Sequence, residues 1–158
     1  MSVTLITKAG SPMSSGNFMR LLKSILTDGK LDGCGVTATG ANITVATGRI
    51  VAGGALVTLD TTVVTASAAG ELVLKIDTSG EGSAAVLARA AATLTRQDIT
   101  GSGTVYELQL ATFGFISGSV SGLSVKLGTA KPVGMADVGI YVQQTQPTNP
   151  ATGDLWLW

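Results

Sequence analysis

From Leu31 to Leu127 the chain is written in short β-branched and apolar runs separated by glycine-rich turns. That spacing constrains the fold more than any other feature. A parallel crossover needs about a dozen residues, so strands joined by turns this short must pair antiparallel. Many short strands with Gly-rich turns predict a mainly β chain whose body is an antiparallel β-sandwich or barrel-like structure. The expected strands are Cys34 to Thr39, Ile43 to Thr47, Arg49 to Ala52, Ala55 to Leu59, Glu71 to Asp77, Ala84 to Ala90, Thr104 to Phe115 and Val120 to Leu127. Within them Leu72, Leu74 and Ile76 share one face, as do Tyr106, Leu108 and Leu110. Ser79 to Ser83 reads as a hairpin loop.

One α-helix precedes this body. Ser14 or Ser15 can cap it, and Phe18, Leu21, Leu22 and Ile25 recur at helical spacing on one face. Asp28-Gly29 supplies its stop, which predicts a helix over 14–27. The apolar stripe has two readings: it covers one side of the β core, or it is an assembly helix that meets another subunit. At Gly128 the texture changes, and Gly128 to Gly134 reads as a linker. The division is therefore 1–127 for helix and body, and 128–158 for a linker and a C-terminal segment. In that segment Val138, Ile140 and Val142 alternate, and a polar stretch with two prolines leads to Asp154-Leu155-Trp156-Leu157-Trp158. It is expected to form a C-terminal β-hairpin or docking strand. No run approaches the roughly 20 apolar residues of a membrane helix, and the first residues lack the pattern of a signal peptide. Synthesis in a cytoplasm and no membrane partner are the expectations.

Catalytic constellations are scarce. With no histidine in the chain, a Ser–His–acid triad cannot be assembled. Cys34 is the single cysteine. It can form neither an intrachain disulfide nor a thiolate zinc site, and a buried inert thiol is expected. Glu71, Asp77, Glu81 and Glu107 are the carboxylates that could pair for glycoside hydrolysis; they read instead as solvated strand ends. Asp28 and Asp32 flank Gly29, but the spacing of a calcium loop is missing. The glycines from Gly29 to Gly35 carry no phosphate-loop pattern. No catalytic, metal or cofactor site is expected, and the chain reads as a non-enzyme. Ten basic and ten acidic residues cancel, so the basic footprint of nucleic-acid binding is absent. The same neutrality weakens self-repulsion and favours homo-oligomers. The aromatic residues Tyr141, Trp156 and Trp158 are the candidates for contact with a partner or a glycan, through packing or sugar stacking.

Two stretches carry a resemblance. Leu21 to Gly29, Leu31, Gly35 to Thr39 and Ile43 to Gly53, in that order, resemble a pattern of tailed-bacteriophage virion proteins: a short helix ending in Asp-Gly, then glycine-punctuated strands. Thr145 to Trp156 is similar to the "x-x-P-x-N-P-x-x-G-D-L/I-W" element of phage fibre proteins. The pattern occurs in N-terminal modules of baseplate, tail-fibre and some head-fibre proteins. The resemblance implies a structural virion protein, synthesised in a host bacterial cytoplasm, with a β-sandwich body. Such proteins are often homotrimers and dock on other virion proteins. A head fibre, a capsid decoration protein or a host-glycan binding module are the alternatives.

Overall fold

A computed structural model describes residues 14–133, together with 140–142 and 155–157. It is mainly β, with one helix and three antiparallel sheets that share a core. The helix, α1, spans Ser15–Ile25; Ser14 caps it by accepting a hydrogen bond from the Asn17 N–H at 3.3 Å. The expected stop at Asp28-Gly29 is not what ends it. Leu26 is already extended (φ −128°, ψ 141°). The chain then bonds to residues 128–133: Thr27 N–H donates to Lys131 O at 2.8 Å, and Val133 N–H to Ile25 O at 2.9 Å. Gly29 serves close packing instead, since a Cβ there would sit 2.5 Å from Ala130 N. The stretch beginning at Gly128 is thus tied along the end of the helix and the strand after it.

The first sheet is β1 (Gly29–Gly33), β4 (Gly48–Ala52) and β5 (Ala55–Leu59), in that order. The second is β2 (Val36–Thr39), β3 (Asn42–Val45) and β6 (Thr62–Thr65). The third has the order β10-β9-β7-β8, from β7 (Gly70–Asp77), β8 (Ser83–Arg89), β9 (Val105–Ile116) and β10 (Ser119–Val125). Every junction in these three sheets is antiparallel. Facing side chains of all three fill one core: Ile43 and Val45, Ile50 and Val57, Leu72 and Leu74, Leu108 and Leu110. This is sandwich-like packing with no closed barrel.

The long strand β9 changes parity midway. Leu74 pairs with Leu108 and Ile76 with Tyr106, but Leu72 pairs with Ala111 and Gly70 with Phe113. A bulge at Leu110 takes up the extra residue. It moves the inward set from even to odd numbers, so Leu108, Leu110, Ala111 and Phe113 are all buried.

The C-terminal ribbon pairs β11 (Ile140–Val142) with β12 (Leu155–Leu157), and the pairing is parallel. The hairpin expected there is therefore corrected, because a hairpin joins antiparallel strands. The chain between the two strands, 143–154, has the length a parallel connection needs.

Candidate functional site

Two arrangements of side chains stand out, one buried and one exposed. The first lies on the outer face of the third sheet. Glu71 and Glu107 are 1% and 4% exposed, so the solvated strand ends expected for them are a misreading. A charge is buried only if it is paired, and Arg89 at the end of β8 supplies the partner. Its Nε donates to Glu71 Oε1 at 3.0 Å, and Nη1 and Nη2 donate to the two Glu107 oxygens at 2.8 and 3.1 Å. Gln109 Nε2 donates to Glu71 Oε2 at 2.6 Å. Backbone N–H groups complete the shell: Ala92 to Glu71 at 3.2 Å and Thr95 to Glu107 at 2.8 Å.

The topology gives this cluster its purpose. β8 is one edge of the sheet, yet residues 95–97 pair along the far side of β9, where Gln97 N–H donates to Val105 O and Glu107 N–H to Thr95 O. The chain from Ala90 to Leu94 must therefore cross the sheet's outer face, and the two carboxylates grip it from below. Burial pushes both carboxyl groups up, but the surrounding donors outweigh it. Gln109, Arg89 and the Ala92 N–H hold Glu71 below its ordinary value, and the Thr95 N–H and Arg89 do the same for Glu107. Two carboxylates held ionised and saturated with donors cannot lend a proton near neutral pH. The cluster is a fastener.

The second arrangement is the surface of α1. The helix packs on β5 and against the Gly53-Gly54 turn, where a Cβ on Gly54 would meet Met19 O at 2.5 Å. On another side Lys23 Nζ bonds Asp98 at 2.8 Å and Arg20 Nε donates to Thr100 O at 3.0 Å. Lys23, with Thr100, holds the Asp98 carboxyl down to about 2. These contacts fix which way the helix faces. Of the stripe read from sequence, Leu22 turns inward and is 9% exposed, while Phe18, Leu21 and Ile25 are 39%, 43% and 47% exposed. Met19 joins Leu22 on the inward side, packed against the core. The spacing of Met19, Leu22 and Leu26 carried that signal, masked by the stronger apolar row beside it.

The sequence candidates are only partly brought together. Tyr141 and Trp156 are register partners in the parallel ribbon; Trp158 lies outside the described residues. Cys34 is 1% exposed, and burial pushes its thiol up, in keeping with an inert thiol. Among the described residues no group of His, Cys, Asp and Glu could hold a metal ion, and no helix is long and apolar enough to cross a membrane. The chain matches no protein-family model and no curated protein.

Proposed function

We propose that the chain is a structural component of a tailed-phage virion, a baseplate or tail-fibre part that assembles as a homo-oligomer and docks on neighbouring virion proteins. The observation that carries this reading is the exposed row Phe18, Leu21 and Ile25 on a helix whose other sides are already fixed. Apolar side chains exposed together on one face mark a contact site, whereas singly scattered ones are ordinary. Copies of a chain with ten basic and ten acidic residues do not repel one another. The occupant is accordingly another copy, helix face to helix face, with a trimer as the form that the virion resemblance suggests.

Light scattering at micromolar concentration is expected to return a mass well above the 15.9 kDa of one chain. Leu21→Glu places a charge in the contact and is expected to lower that mass while circular dichroism stays unchanged. A stable monomer of the unmodified chain would overturn the reading. Immunogold labelling of intact particles would assign tail or head, and labelling confined to the capsid would favour a head fibre or decoration protein.

The pairing of Tyr141 with Trp156 keeps a second reading in play, a module that binds a host surface glycan. It requires glycan-array binding that disappears in Trp156→Ala; an array with no signal removes it.

A further inference from the structure

Edge strands expose unpaired backbone groups, and proteins guard them with bulges, charges, proline or covering chain. Three edges here are guarded in this way. β1 is bulged between Lys30 and Asp32, and Lys30 exchanges hydrogen bonds with Gly128 and Ala130. β5 lies against α1. β10 is bulged between Ser121 and Ser124, and Val120 N–H donates to Gly40 O.

β8 has none of these devices. Its seven residues, Ser83-Ala84-Ala85-Val86-Leu87-Ala88-Arg89, run in unbroken register with β7. Ser83, Ala84, Ala85 and Leu87 are exposed, Leu87 by 41%. Among the described residues, no backbone group of 83–89 bonds to any strand other than β7. The strand carries no charge before Arg89, and that guanidinium is committed to Glu71 and Glu107. Its neighbour across the sandwich, β6, is Thr62-Val63-Val64-Thr65, equally uncharged.

We infer that β8 is a homotypic pairing edge, at which two copies of the chain join antiparallel about a two-fold axis through Val86. The occupant follows from self-complementarity. Full overlap of the seven residues sets Val86 against Val86 of the other copy, Leu87 against Ala85, Ala88 against Ala84 and Arg89 against Ser83. No like charges meet. Small side chains at 83–85 let the backbones approach, and pairing removes both free edges at once. The contact is separate from the helix face: it gives two-fold pairs by itself, and larger closed assemblies when both operate.

The test isolates the edge by working in Leu21→Glu, where the helix contact is lost. That variant is expected to sediment as a dimer. Adding Ala85→Lys and Leu87→Lys sets lysine against lysine twice across the axis, and should weaken dimerisation by about tenfold or more. Ala85→Lys with Leu87→Glu, in the same background, sets lysine against glutamate twice and should restore the dimer. Positions 21, 85 and 87 are all exposed on each copy, so circular dichroism is expected to stay native throughout. A Leu21→Glu chain that sediments as a monomer overturns the inference, whatever the helix face does in the unmodified chain. So does a dimer indifferent to the paired lysines, or one that the lysine–glutamate pair fails to restore.

Discussion

Arg89→Met should cost about 3–5 kcal/mol of folding stability, the range for breaking a buried ion pair and leaving its partners charged. For a chain of this size that lowers the thermal midpoint by on the order of 10 °C. The size of the effect comes from what stays behind. Methionine fills much of the space, but Glu71 and Glu107 remain at 1% and 4% exposure with their shared cation gone. Conservative changes at the exposed ion pair of Arg49 and Asp32, whose side chains are 55% and 47% exposed, should move stability by less than about 1 kcal/mol.

The same substitution should reverse the pH dependence of stability. In the unmodified chain both glutamates sit below the ordinary carboxyl value of 4.5. Their contribution is therefore complete above that value and is lost as pH falls through it towards their folded values. In Arg89→Met, burial is left opposed by Gln109, two backbone N–H groups and the weaker attraction of Lys75. It then dominates, both values rise above 4.5, and protonation relieves the variant. Its urea midpoint should climb as pH drops from 7 towards 5, where that of the unmodified chain stays flat before falling. Parallel curves for the two proteins would mean that the cluster does not hold the crossing segment.

The antiparallel β body was legible because its signals are local. Alternation placed Leu72, Leu74 and Ile76 inward, glycine-rich turns placed the hairpins, and Ser14 marked the start of α1. β6 was missed although Thr62-Val63-Val64-Thr65 is wholly β-branched, because nothing around it alternates. β1 could not be seen in Gly29-Lys30-Leu31-Asp32-Gly33. It is a strand only because β4 and residues 128–130 bond to its two sides. The glutamate cluster was illegible for a similar reason. Glu71, Arg89 and Glu107 stand 18 residues apart in turn, with Gln109 beside Glu107 on the same strand, and only the order β9-β7-β8 brings them together. On α1 the periodicity marked the apolar positions but not their destination. Which of two adjacent rows turns inward was decided by Lys23, Arg20 and Gly54, through partners about thirty to eighty residues away. The surfaces proposed for assembly arise from that choice, since they are the apolar groups left over once the core is filled.

Gly33→Ala should cost about 3 kcal/mol, and a matched control separates its two causes. Gly33 and Gly40 have nearly the same left-handed backbone, φ 56° and 58°. A side chain at either therefore carries a strain of about 1–2 kcal/mol. At Gly40 a Cβ would meet nothing within 4 Å, so Gly40→Ala should cost only that strain. At Gly33 the Cβ would lie 2.1 Å from Thr47 O, backbone that cannot rotate away. Overpacking of this kind adds about 1–3 kcal/mol. The location raises the stakes. Cys34 follows with φ 54° and donates its N–H to Thr47 O at 3.1 Å, so this turn leads the chain from the sheet under α1 into the facing sheet. Pushing Thr47 away shifts one sheet against the other and with it the helix that carries Phe18, Leu21 and Ile25. Gly33→Ala should therefore weaken the self-association proposed for that face as well as lower the urea midpoint, whereas Gly40→Ala lowers the midpoint alone. Equal midpoints for the two variants would show that the β3–β4 connection gives way freely, and the helix face would then owe its placement to its contacts with residues 98–100 instead.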